Sequence, residues 1–150
     1  MKRLIISMSV LILCAVATTN RAEVIAISHS NFVSDIYPNV DEPIVILFGS
    51  NYCGNSKQQL KMLKRKETEY GDRIKFYCVN ADTDENYEWL VQVAKEEEFD
   101  ELGVPSWLFY YGNYKDGDGV NHYVIWSGAG IIPESTMDGL LKEQIRCYYR

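Results

Sequence analysis

Residues 44–56 read Ile44-Val-Ile-Leu-Phe-Gly-Ser-Asn-Tyr-Cys-Gly-Asn-Ser56, and they carry the strongest structural pattern in the chain. Its first five residues are all apolar, and such an unbroken run is typical of a strand that is buried on both faces of a sheet. From Cys53 to about Tyr70 the pattern becomes helical, with apolar residues spaced among lysines and glutamines. We therefore predict a central strand, a short loop and a helix, with Cys53 where the helix begins.

Strands and helices alternate on both sides of this stretch. Four further strands are predicted, and the last two form a hairpin through a turn at residues 115–119. These strands lie at residues 24–27, 74–79, 107–111 and 122–126. Gly128 and Gly130 are expected to allow a bulge or a tight bend after the hairpin. The predicted order of elements is βαβαβαββα, which describes an α/β domain.

Three helices are predicted besides the one at Cys53. The first is short, is capped by Ser30 or Asn31 and ends at Tyr37. Its buried side is expected to carry Phe32, Val33 and Ile36. The second follows a capping turn at residues 82–86 and carries Tyr87, Leu90, Val91 and Ala94. The third begins at Pro133 and runs to about Cys147.

The composition is that of an ordinary globular protein. Of the 150 residues, 47% are hydrophobic and 24% are charged, which excludes a disordered tail and a collagen-like rod. The length fits a single domain, and four cysteines are too few for a disulfide-dense miniprotein. The net charge of −6 argues against binding to nucleic acid, because such binding requires Lys and Arg to displace phosphate counterions.

Residues 1–22 are predicted to be a signal peptide that is not part of the fold. Two basic residues precede an apolar run at residues 4–16, which is shorter than the ~20 residues that span a bilayer. Cleavage is expected after Ala17 or Ala22, which leaves a domain at residues 23–150 with no membrane attachment. We expect this domain in the secretory pathway (periplasm, extracellular space or endomembrane lumen), without a retention signal for the endoplasmic reticulum.

The cysteines are expected to have different roles. Signal cleavage would remove Cys14 and leave three cysteines in an oxidising compartment, so at least one thiol is free or bonded to another molecule. Cys78 lies in a predicted buried strand, where a free cysteine packs as a small hydrophobic residue. Cys147 is either an exposed thiol or a site of intermolecular bonding. A disulfide between Cys53 and Cys78 would need Cα atoms within ~7 Å.

Cys53 has the position of a nucleophile. The unpaired N–H groups and the positive end of the dipole at a helix N-terminus stabilise a thiolate and so lower the pKa of the thiol. Ser56 is three residues further on and faces Cys53 across one helical turn, so its hydroxyl can donate a hydrogen bond to the thiolate. The alternative is that Cys53 is an inert remnant in a fold kept for binding.

These residues resemble the thioredoxin superfamily. Tyr52-Cys-Gly-Asn-Ser56 stands where that family has an aromatic residue followed by Cys-x-x-Cys. Gly103-Val-Pro105 resembles the family's cis-proline loop, and Gly128-Ala129 resembles the glycine near its last strand. Ser30-Asn31-Phe32 resembles the protein disulfide isomerase branch. The resemblance extends over residues 24–147.

The resemblance implies a thioredoxin-like fold, in which helices flank a central mixed β-sheet. It also implies thiol–disulfide exchange with protein or peptide thiols and disulfides through Cys53. The substrate surface that it assigns consists of Tyr52, Gly54, Asn55, Val104 and Pro105, with Pro105 in cis. It implies no metal, nucleotide or flavin cofactor, because electrons would come from substrate thiols or from glutathione. It names no client and no oligomeric state.

Three departures from the family pattern bear on the activity. The second, resolving cysteine is Ser56 here, and a serine cannot attack a mixed disulfide, so release must wait for a thiol of the substrate or the solution. Leu47 and Cys78 replace the buried acid and the lysine that the resemblance assigns to proton handling. We therefore expect monothiol exchange, such as disulfide isomerisation. The alternative is a non-catalytic peptide-binding or chaperone-like module.

Aromatic side chains crowd the C-terminal hairpin, where they form either core on one strand face or an exposed patch that holds polypeptide. They are Trp107, Phe109, Tyr110, Tyr111, Tyr114, Tyr123 and Trp126. The acidic run at residues 96–101 is interpreted as a solvated helix end. His29 and His122 are too isolated to predict a metal site.

Overall fold

The computed structural model describes residues 23–115 and 119–150. The predicted signal peptide at residues 1–22 and the centre of the predicted hairpin turn, residues 116–118, lie outside the described residues. The strands are β1 Ile25–Ile27, β2 Pro43–Gly49, β3 Lys75–Asn80, β4 Ser106–Lys115 and β5 Gly119–Ala129. The helices are α1 His29–Asn31, which is a single turn, α2 Gly54–Tyr70, α3 Asp84–Glu96 and α4 Glu134–Tyr148.

The strands form one mixed sheet in the order β1-β3-β2-β4-β5. β3 pairs in parallel with β1 and β2, whereas β4 pairs antiparallel with β2 and β5. The predicted central strand is confirmed, since residues 43–48 of β2 are all buried. This topology places the carboxyl ends of β2 and β3 at the same edge of the sheet, where α2 and α3 begin.

Two apolar cores cover opposite faces of the sheet, because alternate residues of β2 point to opposite sides. The core beneath α2 and α4 is built around Val45, Leu47, Leu63, Trp107, Phe109, Met137 and Leu141. The core beneath α3 is built around Phe32, Ile44, Ile46, Phe48, Trp89, Leu90 and Leu108. The strand is therefore covered on both faces, as its unbroken apolar run predicts.

A buried lysine holds α2 against α4. Lys66 is 4% exposed, and its Nζ lies 2.7 Å from Asp138 Oδ1 and 3.2 Å from Glu134 Oε1, both on α4. The close contact with the Asp138 carboxylate does most to raise the pKa of Lys66 above its usual value. These ion pairs bridge α2 and α4, and a third carboxylate, Glu69 Oε2, lies 3.4 Å from the same Nζ. The bridge therefore helps to hold in place the helix that begins at Cys53.

The cap of the first helical segment differs from the prediction. Its N-cap is Ser28, whose Oγ accepts a hydrogen bond from Asn31 N at 3.3 Å, rather than Ser30 or Asn31. The Asn31 side chain in turn accepts from Ser28 N at 3.4 Å. This reciprocal pair is a capping box, with asparagine in the place of the usual Glu or Gln.

The buried face of this segment also differs from the prediction. After α1 the chain widens into a π-helical turn at Phe32–Ile36 and then tightens into a 3₁₀ turn at Tyr37–Asn39. α-Helical spacing therefore does not define which side chains point inward. Phe32 is buried and Ile36 is half-buried as predicted, whereas Val33 is exposed.

The inward face of α3 is defined by helical spacing. Thr83 is the N-cap, within the predicted capping turn, and its side chain accepts a hydrogen bond from Asn86 N. Trp89, Leu90 and Val93 are buried at the i, i+1 and i+4 positions of one stripe. The tyrosine and valine at positions 87 and 91 lie on the exposed face instead.

The aromatic residues of the hairpin belong mainly to the core. Trp107, Phe109 and Tyr110 are buried, whereas Tyr123 is exposed; the Tyr114 side chain lies outside the part of the chain that is described. Phe109 pairs with Trp126 but Tyr110 pairs with Val124, so the residue between these partners forms a β-bulge.

The two glycines after the hairpin behave differently from each other. Gly128 pairs regularly with Trp107, so the bulge expected there is absent at this position. Gly130 has a φ of +104°, a conformation that side chains with a Cβ rarely adopt. The predicted tight bend is therefore at Gly130, where the chain leaves β5.

His122 joins the hairpin to the segment after α1 and makes stability depend on pH. Its ring stacks on Tyr37 with centroids 3.8 Å apart, and its Nδ1 is 2.7 Å from the Tyr110 hydroxyl. Burial lowers the pKa of His122, so between its folded and unfolded pKa values the unfolded chain binds more protons. The stability that neutral His122 contributes is complete above the unfolded pKa of ~6.5 and is lost as the pH falls through the lower folded value.

We expect the free energy of unfolding to fall more for the wild type than for His122→Gln between about pH 7.5 and pH 5. Urea denaturation at the two pH values measures this difference. Because the other titrating groups are common to both proteins, their contributions cancel. An equal fall in both would contradict a role for His122.

Candidate functional site

Cys53 is the N-cap of α2. Its backbone is extended, with φ −98° and ψ 117°, and its carbonyl accepts the first helical hydrogen bond from Lys57 N at 3.2 Å. An N-cap side chain usually offers an oxygen that accepts from the second or third N–H group of the helix. Here the side chain is a thiol, and it makes no such capping bond. Its Sγ instead donates to Val104 O at 3.6 Å.

Ionisation of Cys53 would supply the missing cap. The pKa of the thiol is lowered most by a hydrogen bond from the Ser56 side chain, and next by one from the Ser56 N–H group. Partial desolvation raises the pKa, and the Asn55 N–H group lowers it slightly. Asn55 and Ser56 are the second and third residues of α2, whose N–H groups an N-cap acceptor normally satisfies. The thiolate is therefore the form of Cys53 that fits this helix end.

Ser56 is buried and is poised to serve the thiolate. It is 4% exposed, and its Oγ has no hydrogen-bond partner among the described residues while Cys53 is a neutral thiol. Gly49 leaves it little extra room, because a Cβ at Gly49 would lie 3.3 Å from Ser56 Cβ. A buried hydroxyl without a partner is unfavourable. An ionised Cys53 gives it an acceptor, which agrees in direction with the lowered pKa.

The loop that faces Cys53 is held from both sides. The Val104–Pro105 peptide bond is cis, as the resemblance implies. Pro105 O accepts a hydrogen bond from Gly130 N at 2.7 Å, and the Ser106 hydroxyl donates to Gly103 O. The loop therefore presents the Val104 carbonyl to the sulphur from a fixed position.

The structure brings the predicted substrate-surface residues together. Tyr52, Gly54 and Asn55 flank Cys53 and are exposed, and the Tyr52 side chain is 91% exposed. Val104 is half-buried and Pro105 is buried on the facing loop, which contacts Cys53 through the Val104 carbonyl. Their role in binding substrate stays a prediction.

The two positions at which the resemblance leads one to expect a buried acid and a lysine lie behind Ser56. Leu47 and Cys78 are register partners in β2 and β3, and with Ser56 they line a cavity of about 100 Å³. Leu47 is buried and carries no proton. Burial raises the pKa of the Cys78 thiol, so this group remains protonated at neutral pH. Neither side chain can act there as a general base in the way that a carboxylate does.

The cysteines of the described region are free thiols. The disulfide between Cys53 and Cys78 that the sequence leaves open is therefore not formed. Cys78 is half-buried rather than fully enclosed in the core. Cys147 is also half-buried, and its Sγ donates to Glu143 Oε1 at 3.3 Å. Burial and this carboxylate raise the pKa of Cys147, which makes it a poor nucleophile.

The sequence pattern places Asp82 in a capping turn and predicts no contact with the loop before Cys53. Its Oδ2 accepts a hydrogen bond from Asn51 N at 2.9 Å, which fixes the loop before Cys53 to the segment after β3. No local sequence pattern predicts a hydrogen bond between residues that are 31 positions apart. The available signal was topological, since the loops after two adjacent parallel strands meet at one sheet edge.

Neither a metal site nor a membrane span is found in residues 23–115 and 119–150. No group of three or more His, Cys, Asp or Glu side chains in these residues could hold a metal ion. None of the helices described has the length and apolar character needed to cross a bilayer.

Comparison with known proteins supports the fold. No family model and no curated protein matches the chain. A crystal structure of chloroplastic thioredoxin z, described as defining a novel type-specific target recognition, aligns with a TM-score of 0.58 and 18% sequence identity. The alignment covers 83% of this chain and 96% of that chain. Together with the mixed five-stranded sheet, this likeness shows that the chain has an α/β thioredoxin-like fold.

Proposed function

We propose that the protein carries out monothiol thiol–disulfide exchange on protein substrates through Cys53. The observation that carries this proposal is the position of Cys53 at the N-cap of α2. There its pKa is lowered by Ser56 and by the first N–H groups of the helix. The half-buried Cys53 sulphur also faces the cis-proline loop, whose backbone would offer a surface along which a substrate could bind.

The proposed reaction exchanges one disulfide for another. The Cys53 thiolate attacks one sulphur of a substrate disulfide, the S–S bond breaks, and the other substrate sulphur leaves as a thiolate that takes a proton from water. A second substrate thiolate then attacks the substrate sulphur bound to Cys53 and releases the Cys53 thiolate. The substrate's disulfide has been moved and no electrons have been gained or lost. Glutathione can perform the release instead and then remains bonded to the substrate.

The substrate surface in this proposal consists of two backbone segments around Cys53. Tyr52, Gly54 and Asn55 would contact the substrate from the loop and first turn of α2. Val104 and Pro105 would pair with an extended substrate segment through the backbone of their loop. Such exchange belongs in an oxidising compartment, so we also propose that residues 1–22 direct the chain into the secretory pathway.

A second candidate function is a non-catalytic peptide-binding module. It is favoured by the replacement of the resolving cysteine by Ser56 and by the absence of a titratable base at Leu47. In this case Cys53 would be a structural cap and its ionisation would have no consequence. The two functions differ in the reactivity of the thiol.

The reactivity of Cys53 across pH separates the two functions. We expect alkylation of the wild type to follow an apparent pKa below the ~8.5 of an unperturbed cysteine. Ser56→Ala should raise this value, because it removes the hydrogen bond that lowers it most. The rate is measured with a small alkylating reagent, and Cys53→Ala gives the background from the other thiols. A normal or unreactive Cys53 thiol would refute exchange and favour the binding module.

A further inference from the structure

We propose that a pocket beside Cys53 selects substrates in which a large apolar residue and a neighbouring Lys or Arg lie close to the reacting cysteine. The inference rests on the proposed exchange function and names its substrate class. The pocket lies between the loop before Cys53, the start of α3 and the cis-proline loop. Its lining includes Asp82, Tyr87, Leu90, Leu102 and Val104.

The lining is suited to an apolar side chain. Leu90 is fully buried, whereas Tyr87 and Leu102 are 49% and 48% exposed. Burial of such half-exposed apolar side chains against a ligand lowers the free energy, because apolar surface is removed from water. Both side chains line the pocket, so an incoming apolar group would remove them from water.

The size of the pocket fits one side chain. Its volume is about 230 Å³. An apolar cavity of ~150 Å³ is enough to bind benzene, so a leucine, methionine or phenylalanine side chain can enter. Most sites for drug-sized ligands begin at ~300 Å³, which makes a single side chain the better match.

The pocket is continuous with the reaction site. Val104 both lines the pocket and supplies the carbonyl that accepts the Cys53 thiol hydrogen bond at 3.6 Å. A substrate segment whose cysteine reaches Cys53 can therefore lie across the pocket mouth. Because an extended chain advances ~3.3 Å per residue, a residue a few positions from the substrate cysteine can place its side chain inside.

Asp82 gives the pocket its charge preference. It is the only charged residue among the lining residues, and its side chain is exposed. The hydrogen bond from Asn51 N to Oδ2 fixes the carboxylate at the edge of the pocket. A carboxylate retains lone pairs for further donors, so a Lys or Arg next to the apolar residue can bind there. The net charge of −6 adds a weaker, general attraction for basic segments.

The test uses short peptides that each carry one cysteine as a disulfide with a small aryl thiol. Cys53 attacks the peptide sulphur and the aryl thiolate leaves, so absorbance reports the rate. We expect peptides with Leu beside Lys to react about tenfold faster than peptides with Ala beside Lys. Leu102→Ser and Tyr87→Ala should abolish this preference. Val91→Ala is the matched control, since this residue is also exposed on α3 but lies outside the pocket.

The charge preference is tested with the same reaction. Wild-type protein should prefer Leu-Lys over Leu-Glu peptides by a few-fold, and Asp82→Asn should reduce this ratio towards one, because an exposed ion pair contributes modestly. Equal rates for the Leu and Ala peptides in the wild type would contradict the proposal that the pocket selects a large apolar residue. Equal rates for Leu-Lys and Leu-Glu would overturn the charge preference.

A small symmetric aryl disulfide without a peptide separates this inference from the proposed function. If it reacts no faster with the wild type than with Cys53→Ala, the exchange function fails. The pocket is then tested on Cys53→Ala protein by the Kd values of peptides with serine in place of cysteine. A tighter Kd for Leu-Lys than for Ala-Lys, lost in Leu102→Ser, supports the pocket, and equal Kd values refute it.

Discussion

Ser56→Cys protein is expected to release a substrate bound to Cys53 at least about tenfold faster than the wild type does. The Ser56 side chain is close enough to the Cys53 sulphur to lower the pKa of that thiol through a hydrogen bond. A thiolate at this position can attack the Cys53 sulphur of a mixed disulfide and expel the substrate thiolate. In the wild type such a mixed disulfide would be released only by an external thiol. The release is measured by preforming the mixed disulfide with a labelled peptide and following free peptide over time.

Asn55→Cys is the matched control for this substitution. It also adds one thiol to the first turn of α2, but Asn55 is exposed whereas Ser56 is 4% exposed behind Cys53. We expect release from Asn55→Cys protein to resemble the wild type. If both variants release peptide at one rate, Ser56 does not face the mixed disulfide and the proposed geometry is wrong.

The pH dependence of release by Ser56→Cys protein reports on the residues behind it. The new thiol would sit at a cavity lined by Leu47 and by Cys78, whose pKa burial raises. Because neither residue accepts a proton at neutral pH, the introduced thiol must lose its proton to solvent. Position 56 is 4% exposed, and burial disfavours a thiolate. We therefore expect its rate of attack to keep rising above pH ~8.5, the pKa of an unperturbed thiol.

The residues at the site could be found from the sequence because local patterns decide them. An unbroken apolar run followed by a helical pattern places Cys53 at the start of α2, and no distant contact is needed to infer this. The cis conformation at Pro105 came from the resemblance. The sequence places Cys53 at the start of the helix but does not show that its sulphur occupies the N-cap. That role depends on the boundary between loop and helix, which sequence patterns locate only within a few residues.

Features that depend on tertiary contacts could not be predicted from local sequence patterns. The apolar residues after α1 look helical, yet a π-helical turn changes which of them point inward, so Val33 is exposed. The pocket beside Cys53 draws its lining from four separate segments of the chain. Asp82 acquires its role only because β2 and β3 are adjacent and parallel, which brings their carboxyl ends to one edge.

Trp107→Ala is expected to lower the free energy of unfolding by about 3–5 kcal/mol. Trp107 is fully buried in the core beneath α2 and α4, and its Nε1 donates to Gly130 O at 3.2 Å. It also joins the central sheet, since it pairs with Leu47 of β2 and Gly128 of β5. Truncation would leave a cavity at this junction and an unpaired carbonyl at Gly130. Urea denaturation monitored by circular dichroism measures the loss.

Two further substitutions separate packing from other effects. Trp107→Phe keeps most of the buried ring and loses the indole N–H, so it should cost less than Trp107→Ala. Tyr52→Ala removes an aromatic side chain that is 91% exposed, and its free energy of unfolding should stay within about 0.5 kcal/mol of the wild type. A Trp107→Ala loss as small as that of Tyr52→Ala would contradict the core position. Because Gly130 also donates to Pro105 O, a true loss at Trp107 should loosen the loop that faces Cys53 as well as the core.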